Sequence, residues 1–504
     1  MANWLDYVVL FVYLAGIVAI AVRTRSHSKT VNDFLLAGKG IGGIMTAFAY
    51  GTTYFSAVVF VGYAGSLGPK FGLSSLWIGV FNALIGSLVA WILLAKRTRR
   101  MTHFYNAKTM SEMLQARYDS GHLKLICSLI IFVFLVPYAA SVYTGLGYLF
   151  EMAFNIPFWA VVLIMASATA LYLVFGGYFA TAVTNFIQGL IMLVGVCVML
   201  FALLDNPSVN WGEGFGNLIE SGKGFFPEVV KDGAPFGYTL IMNVLLTSIG
   251  VWGLPQIVHK FYTVKSEKEI RPAVIVSTVF CFVIGVGAYL VGCFAPAILG
   301  SDMAGLAGEA IIPQVLNRIL GAGLLGLIIV LVLSASMSTL SGVTLSSSSS
   351  VAVDIYSGYI RKDAGDKRTN RLMRILCVVF IAVSVIIAII NEYTSFTSIV
   401  SLMSFSWGTL AACFLAPYIY GLYSKKATKA AAYSCIFSGL GLTLILYIVS
   451  VSVPTLAPYL TAPAIGVICM AVNFVLMPIV SAFTKKPDDK ETETLFAALK
   501  KGNE

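Results

Sequence analysis

About thirteen apolar runs of roughly twenty residues follow one another along the chain, and that succession leaves one class of fold. Each run is long enough to cross a bilayer. In hydrocarbon, a segment of this length satisfies its backbone hydrogen bonds as a helix. The runs are read as Leu5–Val22, Ile41–Gly65, Leu73–Ala95, Lys124–Glu151, Trp159–Phe175, Ala182–Leu204, Phe236–Phe261, Ala273–Ile298, Leu320–Val353, Ile375–Ile390, Phe396–Tyr423, Ala430–Val451 and Ala464–Phe483. The expected fold is an all-α polytopic membrane protein. Of 504 residues, 58% are hydrophobic and 11% charged, a balance foreign to water-soluble domains. The net charge of +10 then belongs to loops at a membrane face and implies no nucleic-acid partner. Arg23 follows the first run and no basic segment precedes it, so that run is expected to be a retained span.

Loop charge predicts the orientation. Arg23, Arg25 and Lys29 follow the first run, Lys96, Arg97, Arg99 and Arg100 the third, and Lys260, Lys265, Lys268 and Arg271 the seventh. Arg361, Lys362, Lys367, Arg368, Arg371 and Arg374 follow the ninth, Lys425, Lys426 and Lys429 the eleventh, and Lys485 and Lys486 the last. All follow odd-numbered runs and so share one side, cytoplasmic by the positive-inside rule, with the N-terminus outside and the C-terminus inside. The longest opposite loop is acidic or mixed, with Asp205, Glu213, Glu220, Lys223, Glu228, Lys231 and Asp232. The expected organisation is one membrane domain, 1–485, with a helical core at about 41–423. A charged tail, 486–504, is too short to fold alone. Eight scattered cysteines read as small buried apolar residues.

Two runs are interrupted. AYGTTYFSAVVFVGYAG, Ala49 to Gly65, sets Gly51, Thr52, Thr53 and Ser56 where hydrocarbon is expected. TSIGVWGLPQ, Thr247 to Gln256, carries Gly250, Gly253 and Pro255. Glycine lowers the cost of leaving the helix. Two broken spans in corresponding halves of a membrane protein point to a binding site near the bilayer midplane.

A third stretch supplies oxygens. In LSASMSTLSG, Leu333 to Gly342, helical spacing sets the Ala335 carbonyl and the Ser338 and Thr339 hydroxyls on one face. Sodium, a hard cation, takes such donors. They bring no fixed charge, whose burial costs about 2.5–3.5 kcal/mol. The carbonyls of Thr52 and Phe55 would complete about five ligands if the first broken span passes nearby. The alternative is that these small residues let helices pack closely, as expected of Ser346–Ser350. Asn82, Asn185, Gln188 and Gln256 read as interhelical hydrogen-bonding amides, Tyr54, Tyr138 and Trp252 as packing or pocket-lining aromatics, and His259 as interfacial. No phosphate-binding loop and no hydrolase motif stands out.

Several motifs resemble the sodium:solute symporter family. NDFLLAGKGIGG (Asn32 to Gly43) is similar to its loop into the first core helix, FGGYFATAVTNFIQG (Phe175 to Gly189) to its double-glycine signature, and SASMSTLSG (Ser334 to Gly342) to its eighth core helix. TTYFSA and YNAKTMSEMLQARY (Tyr105 to Tyr118) resemble its pantothenate branch, and SFSW (Ser404 to Trp407) its proline branch. The resemblance implies a LeuT-type core of two inverted five-helix repeats, one helix before it and two after. It implies Na+ held by Thr52, Phe55, Ala335, Ser338 and Thr339. It places solute-contacting positions at Thr53, Tyr54, Ser56, Asn82, Tyr138, Val251 and Trp252.

The chain also departs from the family. Asn185 stands where several members carry an aspartate linked to a second sodium ion, and Thr247 and Val251 replace aromatic residues of the proline carriers. Val136 and Pro137 lie where a sialic-acid carrier would have an arginine. The expected function is sodium-coupled import of a small organic solute, a carboxylate, amino acid or similar, by alternating access, without enzymatic chemistry. The expected setting is the cell membrane, as a monomer or weak oligomer. The alternative is a membrane sensor or ion channel on the same scaffold. A sensor needs an output domain that the short tail does not offer, and a channel needs a continuous polar path.

Overall fold

The computed structural model describes residues 3–24, 30–210, 212–226, 228, 235–320, 324–394 and 396–500. Arg25 and Lys29 of the first basic loop, Lys231 and Asp232 of the acidic one, and the last four tail residues lie outside the described residues. The regular elements among the described residues are helices, joined by one isolated bridge, Ile41 to Val264. Among the described residues, eleven helices are long and apolar enough to cross a membrane. This differs from the expected count of about thirteen. Two of the eleven, Val58–Phe104 and Phe158–Leu204, run 47 residues each, about twice one crossing. Within Phe158–Leu204, Gly177 adopts φ 59° and ψ −161°, a conformation reserved for glycine, so the chain bends between the two runs expected there. Large apolar side chains such as Phe11, Trp159, Val194, Ile275, Ile386 and Phe483 are exposed along these helices, as a lipid-facing surface requires.

The serine-rich helix, Leu324–Ser349, lies at the centre and is almost wholly buried. It packs against Phe158–Leu204, Gly121–Phe154, Trp4–Thr24 and Gly43–Tyr54. Its first turn is capped by another helix: the buried Asp6 carboxylate accepts from the Gly326 N–H at 2.7 Å. A carboxylate at a helix N-terminus meets both unpaired donors and the positive end of the dipole.

Both interruptions are present. Helix Gly43–Tyr54 stops at Phe55, which is extended at φ −105° and ψ 134°, and helix resumes over Val58–Tyr63 and Ala64–Phe71. Helix Phe236–Ile249 ends in a tight turn, Gly250–Gly253; Leu254 is extended, and Pro255 opens helix Pro255–Thr263. Proline suits that first position because its missing N–H would be unpaired there anyway. Gly51 plays a different part from the one expected. It is helical, and a Cβ there would lie 2.4 Å from the Phe280 ring, so it permits close packing and not the break itself. Phe55 needs no glycine, because extended backbone is open to any residue.

At the end of the bundle where the described basic loops lie, the two interrupted spans are tied together. The Ile41 N–H donates to the Thr263 carbonyl at 3.2 Å, and the Lys265 N–H to the Ile41 carbonyl at 2.9 Å. Glu269 accepts from the Gly43 N–H at 2.7 Å, capping the first broken helix. Arg99 donates to the carbonyls of Val264 and Lys265, and Arg100 pairs with Glu267 at 2.6 and 2.9 Å. The tail forms helix Asp489–Lys500, burying Leu495, Phe496 and Leu499, and Arg100 donates to its last carbonyls, Leu499 and Lys500. Two side chains expected at this surface are instead inside: Lys260 is 1% exposed and His259 8%. They belong to the inner turns of Pro255–Thr263, covered by neighbouring helices. Of the cysteines, seven are buried; Cys197 alone departs, on the outer surface of Phe158–Leu204.

Candidate cation and solute site

Where Gly43–Tyr54 stops, its last carbonyls lose their intrahelical partners. Hydroxyls of the serine-rich helix meet them. The Ser338 hydroxyl lies 2.7 Å from the Thr52 carbonyl and 2.8 Å from that of Ala335. The Thr339 hydroxyl lies 3.3 Å from the carbonyl of Thr52, 3.1 Å from Thr53, 3.2 Å from Phe55 and 3.1 Å from Ala335. Each hydroxyl has one proton to donate. Ala335 lies in continuous helix, so two protons face the three carbonyls freed at the break, Thr52, Thr53 and Phe55, and at least one of those oxygens is left without a hydroxyl donor. All six residues are buried, each at most 1% exposed. Uncharged oxygens converging with too few protons form a set that a small hard cation completes.

The five residues expected to hold a cation thus come together. The Thr53 carbonyl joins them, although Thr53 was expected only against the solute. A second residue, Ser336, was not singled out at all. Its hydroxyl accepts from the Ala57 N–H at 3.0 Å, satisfying a donor that the break sets free. It lies one position from Ala335, within the same serine-rich motif.

The expected solute positions cluster around the same break, with one departure. The Tyr54 hydroxyl donates to the Thr247 carbonyl at 2.6 Å, joining the two interruptions. Asn82 accepts from the Ser248 hydroxyl at 3.0 Å. Tyr138 meets Trp407 edge-on, with ring centroids 5.4 Å apart, and its hydroxyl faces Ser56 and Thr339. Val251 is buried in the tight turn. Thr53, Tyr54, Ser56, Asn82, Tyr138 and Val251 are each at most 2% exposed, so the region is closed to both faces. Trp252 is held elsewhere: its indole N–H donates to the Ile85 carbonyl at 3.1 Å, and its ring packs beside Leu246, Ala411, Leu415 and Met470. Trp407 is an addition, signalled in the sequence only by SFSW.

The other buried amides divide. Asn82 is bonded across helices as expected, and Gln188 donates to the Tyr13 hydroxyl at 3.0 Å. Asn185 and Gln256 are buried with neither amide atom bonded, as is the Thr53 hydroxyl. Unpaired buried polar atoms are rare and call for a partner. Within Ser346–Ser350, the hydroxyls of Ser349 and Ser350 bond back to their own helix at Ser346 and Ser347, in keeping with packing.

The model of the sodium:solute symporter family matches residues 34–439. The sodium/pantothenate symporter of Escherichia coli (strain K12) is 29% identical over 446 residues, spanning 86% of this chain and 88% of that protein. The sodium/proline symporter of Haemophilus influenzae is 27% identical over 436 residues, 84% of each. Among solved structures, a Na+-coupled sialic acid symporter in a substrate-bound outward-open state superposes with a TM-score of 0.78. It is 18% identical and covers 96% of this chain and 99% of that one. Mhp1, a nucleobase-cation-symport-1 family transporter, gives a TM-score of 0.52 at 15% identity, over 93% and 99%. These two likenesses show the fold, a LeuT-type helical bundle.

Proposed function

The chain belongs to the sodium:solute symporter family and couples solute import to sodium, and on that premise we propose which residues hold ion and solute. Sodium binds between the carbonyls of Thr52, Phe55 and Ala335 and the hydroxyls of Ser338 and Thr339, with the Thr53 carbonyl beside them. The observation that carries this reading is the Thr339 hydroxyl, within 3.3 Å of four carbonyl oxygens. The solute, a small carboxylate, amino acid or similar molecule, lies against Thr53, Tyr54, Ser56, Asn82, Tyr138 and Val251, with Trp407 as a wall. Trp252 supports the second turn from behind.

The mechanism follows from the connections. Without the ion, hydroxyl protons hold the broken helix to the serine-rich one. Sodium takes over those oxygens and holds the same two elements more firmly. Tyr54, bonded to the Thr247 carbonyl, passes that constraint to the second interruption, where the solute pocket closes. The loaded core then opens toward the basic face, which is cytoplasmic by the positive-inside rule. One charge moving down 100 mV releases about 2.3 kcal/mol, and a tenfold sodium gradient adds about 1.4 kcal/mol. One ion per cycle is enough to concentrate an uncharged or zwitterionic solute several-hundred-fold; with a singly charged anion the one-ion cycle moves no net charge and only the gradient contribution, about tenfold, remains.

The test is the Ser338→Ala/Thr339→Ala double variant. Purified wild-type protein is expected to gain thermal stability from sodium and not from potassium, and the double variant to lose that gain along with sodium-driven uptake in proteoliposomes. A double variant that still responds to sodium as the wild type does overturns the assignment.

A further inference from the structure

Lys260 is a buried amine without a carboxylate partner. Its residue is 1% exposed, and no carboxylate among the described residues lies within ion-pair distance of it. Its ammonium stands over the Tyr178 ring, 5.1 Å from the centroid. A cation–π contact offsets only part of the cost of such a burial. The point where a Cβ on Gly342 would sit is 3.0 Å from the Thr53 methyl, 3.5 Å from that nitrogen and 3.6 Å from the Thr53 hydroxyl. The Thr53 hydroxyl has no hydrogen-bond partner. Gln256, four residues before Lys260 and so on the same helix face, is buried with its whole amide unbonded. Gly342 is three residues past Thr339, about one turn along the serine-rich helix toward the basic face.

The Lys260 nitrogen and the free Thr53 hydroxyl thus both stand beside the notch left by Gly342, one turn below the cation cluster, and the free Gln256 amide lies on the same helix face as Lys260. The helices that build it, 43–54, 236–263 and 324–349, contain no aspartate or glutamate. With Lys260 protonated and sodium bound above, two positive charges would share this region, and an anion would balance them. A carboxylate suits the donors: one oxygen for the ammonium, the other for the hydroxyl or the amide N–H. We propose that Lys260 supplies the counter-charge for the carboxylate of the transported solute, which is therefore an organic anion. The proposal rests on the symporter reading above and narrows its solute class.

The test uses full-length protein in detergent. Thermal stability is read in sodium methanesulfonate with acetate, lactate, hexanoate or pantothenate, each against its primary amide, and with chloride. At least one acid is expected to stabilise the wild type while its amide does not. Lys260→Met is expected to weaken that acid at least tenfold and Lys260→Arg to keep most of the response. Lys260→Met also lowers the sodium concentration needed for half-stabilisation without solute, because a neighbouring positive charge is gone; the acid-over-amide preference is the readout that a merely structural lysine would not move. No response to any acid, an equal response to the amide, a response to chloride alone, or an unchanged Lys260→Met variant overturns the proposal. Should Lys260→Met not fold, Lys260→Gln and the comparison of acid with amide in the wild type still decide. A sodium response that persists while every acid fails sinks this inference alone. Loss of the sodium response sinks the ion site as well.

Discussion

At Thr339 one proton is shared among four carbonyls, and elsewhere in the bundle a single side chain carries as much. Asp354 is fully buried and accepts from the Thr109 hydroxyl at 2.7 Å and the Ser128 hydroxyl at 3.2 Å, with the Lys124 ammonium 3.8 Å away. Lys124 also reaches Glu112 at 3.4 Å. Removing one partner of a buried ion pair costs about 3–5 kcal/mol, because the other charge is left uncompensated. Lys124→Met is therefore expected to lower the unfolding temperature markedly, and the double variant Lys124→Met/Asp354→Asn to recover much of the loss; thermal unfolding of the pair checks it. The five residues proposed for the cation could be named from the sequence, but the spacing of the Ser338 and Thr339 hydroxyls also fits close helix packing, and only the resemblance to the symporter family implied the full set. Lys260, Asp6 and Asp354 were not legible there. A charge near the end of an apolar run reads as the start of a loop, and only neighbouring helices decide whether it is covered.

Among the elements, the first interrupted span shows what makes a break affordable in hydrocarbon. Its freed groups are answered from one helix: Ser336 takes the Ala57 N–H, while Ser338 and Thr339 meet the carbonyls. An unsatisfied buried donor costs about 1–3 kcal/mol. Ser336→Ala strands the Ala57 N–H, and the expected result is a loss of stability in that range together with weaker sodium-induced stabilisation, read by thermal unfolding with and without sodium. The break itself was visible as glycine and hydroxyls in an apolar context, but its position was not. It falls at Phe55, four residues past Gly51, because the serine-rich helix decides which carbonyls are met. The tail, read as too short to fold alone, forms a helix whose Leu495, Phe496 and Leu499 are buried against the rest of the chain.

Over the whole molecule, the basic loops that lie in the described residues gather at one end, and that asymmetry carries an orientation. Single cysteines placed at Lys425 or Lys485 in a cysteine-free background are expected to react with a membrane-impermeant maleimide in inside-out vesicles and not in intact cells; the reverse pattern would invert the transport direction drawn above. At the same end, the pairing of Ile41 with the Thr263–Lys265 segment stitches the inner halves of both interrupted spans to each other. They make one leaf on one hinge. Swinging either half drags the other, so ion and cargo share a single doorway, and a leak of one without the other calls for tearing that seam.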